Sequence, residues 1–336
     1  MGRIVAGLAS SHAFALLEPD DWDARRQVTR SHYKRRYGVE PPERPEIAGE
    51  TLEGNRQRFQ RYAAALSHLR DQLHRQRPDV LVLIGDDQDE NFREENLPQF
   101  AIYTGDDVLA EGRDERTAQV TGGHAGPPTE TRYRCDAALS RAIHEGMVED
   151  GFDLASSLRL ADDRLRSHAH VQILRMLDPT AQIPIVPIFV NAIHVPAPTP
   201  ARCYQFGAGL RRVIERQPDT KRVALFASGG LSHYTAGFPW PHYDGQATLG
   251  WIHVDFDRMA VGHMAEGRGS ELRKLTSKDL LDSGNIEMRQ WIVLMGALGD
   301  VPPTELVYEP FFRGIMGMAA GCWDLENSTV ATGAAR

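Results

Sequence analysis

Apolar positions along the chain follow two rhythms. Short, nearly continuous runs occur as RIVAGLA at 3–9, DVLVLIG at 79–85, QFAIYTG at 99–105, IPIVPIFVN at 183–191 and RVALFAS at 222–228. Their length suits strands, and the lack of in–out alternation suits strands covered on both faces. Between the first two runs, Phe59, Tyr62, Ala63, Leu66, Leu69 and Leu73 recur at helical spacing within 53–76, which predicts a helix with one core-facing stripe. Further helices are predicted near 132–149, 166–177, 200–216, 246–264 and 285–299. The one at 200–216 opens with Thr199 as cap and Pro200 in its first turn.

This alternation predicts an α/β fold: a single large domain over residues 1–326, with a twisted, mostly parallel central sheet covered by helices on both faces. Residues 17–50, dense in charge and proline (EPDDWDARR, PPERPE), interrupt the rhythm and read either as a lid excursion over a pocket or as a connecting loop. Residues 327–336 read as a frayed tail.

Composition narrows the function classes. The formal charge of -8 argues against nucleic acid, because phosphate binding needs clustered Lys and Arg, and the basic cluster Lys34, Arg35 and Arg36 is short. Three cysteines, Cys135, Cys203 and Cys322, are too dispersed for a disulfide framework or a thiolate metal knuckle, so a reducing compartment is expected. The opening MGRIVAGLASSHAF is unlike a secretory signal and no window reaches the ~20 apolar residues of a membrane span. A cytoplasmic location without membrane contact is the expectation.

In an open α/β sheet, ligands bind beyond the carboxyl ends of the strands. The run at 3–9 is followed by Ser10, Ser11 and His12; that at 79–85 by Asp86, Asp87 and Gln88; that at 222–228 by Ser228, Gly229, Gly230, Ser232 and His233. Glu287 opens the helix near 285–299, where the helix dipole favours a carboxylate. Each has an ordinary structural reading alone. Together, neutral donors and one carboxylate on rigid elements suit a metal held on one face, with the other positions open. No GxGxxG, Walker or GxSxG pattern is present. TGGHAG at 121–126 lacks phosphate-loop spacing, and adjacent Ser232 and His233 do not form a triad.

The segments SSHAF, GDDQDENF, SHAH at 167–170, IPIVPIFVNAIHVPAPTPARCY, ASGGLSHY and GNIEMRQWIVLMGAL resemble those of the class III extradiol dioxygenases, the family of the protocatechuate 4,5-dioxygenase catalytic subunit. SSHAF with EPDDWD and GDDQDENF is most similar to the gallate and 3-O-methylgallate branch. The resemblance implies a non-haem Fe(II) enzyme that opens a catechol-type aromatic acid with O2; tolerance of Mn(II) is expected from the departure at Gln88, and a homodimer is the expected assembly. It implies His12 and Glu287 as metal ligands, His233 as the acid/base and His168 as the second pocket histidine. Ser167 and Ala169 depart from the family's surroundings of that histidine, leaving His170 as a rival. Where many members carry Asp-His, this chain has Asp87-Gln88, with Phe92 in register. Gln88 is then the third ligand through its amide oxygen, with ligation by Asp86 or Asp87, or loss of metal binding at this position, as the alternatives.

Asn191 is a weaker pocket candidate, and His124 and His194 read as surface loop residues. The helix after HVPAPTP offers free amides for a substrate carboxylate, or an ordinary cap. The rival readings are a metal-dependent hydrolase and a non-catalytic binding subunit on the same fold.

Overall fold

A computed structural model describes residues 1–13, 18–111, 130–217, 220–234 and 249–326. His124, the TGGHAG loop and the tail at 327–336 lie outside the described residues. The main sheet contains strands β1 (Arg3–Ser10), β2 (Val80–Gly85), β3 (Phe100–Tyr103), β6 (Ala155–Ser157), β8 (Ile185–Val190), β9 (Arg222–Ser228), β10 (Glu305–Phe311) and β11 (Met316–Asp324). A small second sheet pairs β4 (Asp107–Ala110) with β5 (Thr131–Arg134) and β7 (Arg164–Leu165).

The strand order is β10-β11-β1-β9-β2-β8-β3-β6. The central strands β1, β9, β2 and β8 run parallel, and β3 pairs parallel with β6. The pairs β1 with β11, β10 with β11 and β8 with β3 are antiparallel. The sheet is therefore mixed: its centre is parallel as the apolar runs predict, and the antiparallel pairs join the flanking strands. The connection from Phe311 to Met316 is too short for a crossover, so β10 and β11 must run antiparallel.

Helices lie on both faces: α1 (Trp22–Tyr37), α2 (Leu52–Gln76), α3 (Ala137–Glu149), α4 (His168–Leu177), α5 (Pro200–Arg216), α6 (Val254–Ala265), α7 (Ser277–Asp282) and α8 (Met288–Leu298). Strand β2 shows why. Val80, Val82 and Ile84 pack into one core with Phe206, Leu210, Trp291 and Val293 of α5 and α8. The alternate residues Leu81 and Leu83 pack into the other core with Phe59, Tyr62 and Leu66 of α2 and Leu174 of α4. Successive side chains on a strand point to opposite faces, so an unbroken apolar run needs cover on both.

Thr199 caps α5 by accepting from the Arg202 N–H, with Pro200 in the first turn as predicted. The pattern near 132–149 divides instead into β5 and α3, and among the described residues of 246–264, those from 249 on, the helix begins at Val254. Within 17–50, Trp22 is fully buried, its ring 4.8 Å from that of Phe311 and 5.9 Å from that of Phe59. The Glu50 carboxylate accepts from the backbone N–H groups of Phe312 and Arg313, which ties this excursion to the β10–β11 turn.

Candidate metal centre

The carboxyl ends of β1, β2 and β9 lie side by side, and the polar residues that follow them converge there with the start of α8. Beyond β1, the Ser11 N–H donates to the Ala319 carbonyl and the Ser11 hydroxyl accepts from the Ala319 N–H. These contacts fix the backbone that presents His12, which is 4 % exposed. The Ser228 hydroxyl donates to the Ala169 carbonyl at 2.6 Å, so its oxygen is left to accept from His12 Nδ1, 3.3 Å away. That tautomer leaves the lone pair on Nε2, which faces Glu287 Oε2 at 3.8 Å. Burial, only partly opposed by Glu287, pulls the His12 pKa down to about 3, so the ring is neutral.

Glu287 sits just before α8, and its side chain makes no cap to the helix. It turns into the cluster, where Oε2 accepts from the Gly230 N–H at 2.8 Å and Oε1 from Gln88 Nε2 at 3.0 Å. Burial alone would raise its pKa, but His233, His12 and the Gly230 N–H hold it well below the usual carboxylate range. Gly229 is required at this approach: an added Cβ would lie 2.9 Å from the Glu287 Cβ, and its φ of +150° is one that larger residues avoid.

After β2, the three candidate residues take different places. The Asp87 carboxylate accepts from the N–H groups of Glu90, Asn91 and Phe92 and so folds its own loop. Asp86 is fully buried, and its Oδ1 has no hydrogen-bond partner among the described residues. Burial and the nearby Glu287 charge push its pKa up to about 8. Gln88 Nε2 donates to Asp86 Oδ2 at 2.9 Å as well as to Glu287, bridging the two carboxylates. Ligand atoms of His12, Asp86 and Glu287 lie within 4.8 Å of one another.

His233 brings Nε2 to 3.4 Å from Glu287 Oε1, while its Nδ1 lies 2.8 Å from the Leu231 carbonyl. Burial works against the imidazolium, but Glu287 and the Leu231 carbonyl raise its pKa above the ordinary value. His168, the first residue of α4, has its ring edge-on to His12 with centroids 4.5 Å apart. Its Nδ1 is 2.8 Å from Glu90 Oε1 and its N–H donates to Glu90 Oε2. Burial lowers its pKa, yet Glu90, with Asp86 and Glu287 behind it, lifts the ring to about 9.

His170 points elsewhere. Its Nε2 is 3.0 Å from the Ile188 carbonyl and its Nδ1 2.7 Å from the Ser167 hydroxyl, so both ring nitrogens serve packing. Asn191 closes a turn through the His194 N–H and carbonyl, and His194 lies 2.9 Å from Asp89.

Sequence reasoning did not find Glu90, because its partner lies 78 positions away along the chain. It also passed over Asp257, whose buried carboxylate accepts from Ser232, Asn285 and Tyr308 beneath the site. Neither contact leaves a local pattern.

A cation fits these donors. A buried carboxylate oxygen without a partner, a second carboxylate and a neutral imidazole lone pair together suit one divalent ion. Fold and site thus define an α/β protein with a candidate divalent-metal centre at the carboxyl ends of its parallel strands. The chain belongs to the family described as the catalytic LigB subunit of aromatic ring-opening dioxygenase, whose model matches residues 42–319.

Among its relatives, a gallate dioxygenase from Pseudomonas putida is 34% identical over 143 residues, covering 40% of this chain and 37% of that protein. A 2,3-dihydroxyphenylpropionate/2,3-dihydroxicinnamic acid 1,2-dioxygenase from Comamonas testosteroni is 30% identical over 172 residues, covering 50% and 47%. The counterpart from Rhodococcus globerulus is 24% identical over 296 residues, covering 77% and 88%. The chain spans less than half the length of the first two relatives.

Proposed function

We propose that this protein is a non-haem iron(II) extradiol dioxygenase that opens the ring of a catechol-type aromatic acid, of the gallate, 3-O-methylgallate or protocatechuate kind, with O2. The observation that carries this reading is the convergence of His12 and Glu287 with the loop after β2, beside two further histidines. The family match and the activities printed for its relatives supply the chemistry.

His12 and Glu287 would hold the metal, with Gln88 or Asp86 from the third strand end completing the set; Mn(II) suits these oxygen-rich donors as well. The metal, when bound, supplies a path for electron density from the diphenol to dioxygen. His233 accepts a proton from a substrate hydroxyl at Nε2 and returns it during ring opening. Its Nδ1 contact with the Leu231 carbonyl fixes the ring for that work. His168 stays protonated beside Glu90 and orients the substrate, giving positive charge to a developing negative oxygen.

The test is anaerobic metal analysis followed by oxygen uptake with gallate, 3-O-methylgallate, protocatechuate and simple catechols. His12→Ala and Glu287→Ala are expected to lose both metal and turnover. His233→Ala is expected to retain metal and lose ~10²- to 10⁴-fold in kcat. Normal turnover by His233→Ala would overturn its assigned role, and zinc-loaded protein without oxygen uptake would favour a hydrolase.

A further inference from the structure

We infer that Asp86, rather than Gln88, is the third metal ligand, which makes the centre one histidine and two carboxylates. The inference rests on the metal site proposed above and extends it to a donor set with one imidazole fewer.

Three observations carry it. First, Asp86 supplies an oxygen to the same group as His12 and Glu287, all within 4.8 Å of one another. Three donors spaced evenly around one divalent ion at ~2.2 Å lie about 3.8 Å apart at most; His12 Nε2 and Glu287 Oε2 already stand 3.8 Å apart, and side-chain rotations of about an ångström bring all three onto one ion. Second, Asp86 is 0 % exposed and its Oδ1 has no hydrogen-bond partner among the described residues, a costly arrangement for a carboxylate oxygen unless a cation meets it. Third, Gln88 turns its donor side to the carboxylates. Its Nε2 is 2.9 Å from Asp86 Oδ2 and 3.0 Å from Glu287 Oε1. Ligation through its amide oxygen would require the amide to turn over and give up both hydrogen bonds. As oriented, Gln88 positions the two acidic side chains.

Charge favours the same choice. A neutral imidazole and two carboxylates balance a dication, so the buried centre carries no net charge before substrate arrives. Asp87 is not available for the role, since its carboxylate is committed to the amides of residues 90, 91 and 92.

The experiment titrates Mn(II) into metal-free wild type, Asp86→Asn and Gln88→Ala, with affinity read by calorimetry and by the free-Mn(II) electron paramagnetic resonance signal. Asp86→Asn is expected to bind more than ~100-fold more weakly, and Gln88→Ala, which loses only contacts to the ligands, ~10- to 100-fold more weakly. Wild-type affinity in Asp86→Asn, or a larger loss in Gln88→Ala, overturns the assignment. Should Asp86→Asn fail to fold, infrared difference spectra of wild type carrying carboxyl-labelled aspartate decide: a labelled band that shifts with Mn(II) supports ligation, and an unmoved band overturns it. Metal binding that depends on Asp86 without oxygen uptake on any diphenol would sink the ring-opening reading and leave this one standing. Failure of wild type to bind metal would remove both.

Discussion

Two histidines on the first turn of α4 have opposite electrostatic surroundings. His168 meets the Glu90 carboxylate and is raised to about 9, whereas His170 is lowered to about 4 by deep burial and by the nearby His168, with no carboxylate among the described residues against its ring. The second shift bears on stability. An unfolded chain takes up a proton on His170 below its ordinary pKa of 6.5, and the folded protein resists it until about 4. The stabilisation is complete above pH 6.5 and is lost as pH falls towards 4, amounting to roughly 3 kcal/mol. Urea midpoints of wild type and His170→Gln between pH 7 and pH 4 check this: the variant is expected to show the flatter dependence, and parallel curves would refute it. The spacing of SHAH did not distinguish the two imidazoles, because the Glu90 carboxylate and the Ile188 carbonyl, both distant in sequence, set their roles.

Among the elements, α5 and α8 cross so closely that an added Cβ on Gly207 would come to 1.9 Å from the Val293 carbonyl oxygen, and one on Gly296 to 2.1 Å from that of Tyr204. Both obstacles are helix backbone and cannot swing aside. Gly207→Ala is therefore expected to lower the chemical-denaturation stability by ~1–3 kcal/mol or more, and an unchanged midpoint would show that the helices can separate freely. This packing positions the site, because α8 begins directly after Glu287. A second brace is the Asp257 carboxylate on α6. It accepts from Ser232, next to His233, and from Asn285, two residues before Glu287. Asp257→Leu would leave these buried donors without their acceptor. It is expected to cost ~1–3 kcal/mol and to reduce kcat more than it raises KM, measured by calorimetry and oxygen uptake. Strands β1, β2, β3, β8 and β9 and most helices were legible as apolar runs and stripes, whereas the short strands β4 to β7 were not. The hairpin of β10 and β11 was not, since MGMAAGCWD is rich in glycine and alanine and carries no clear period.

Over the whole molecule, the candidate centre joins elements that the chain supplies far apart: His12 after β1, Asp86 after β2 and Glu287 before α8. A ligand that binds only the folded state stabilises it by mass action, about 2.7 kcal/mol at a hundred times its Kd. Mn(II) added without oxygen is accordingly expected to raise the unfolding temperature of wild type and to leave that of His12→Ala unmoved. Equal shifts in both would place the ion elsewhere.

The residues at the site were recognisable along the chain because a strand end followed by polar groups is a local signal, and so was the cover on both faces of the central strands. The partnerships were not. That Asp86 is buried with an unpartnered oxygen, that Gln88 reaches Glu287 and that the sheet is mixed all depend on contacts between distant segments. Local patterning reports which face of an element is buried; what a buried polar group meets there is set by how the elements pack, and no short stretch of chain encodes it.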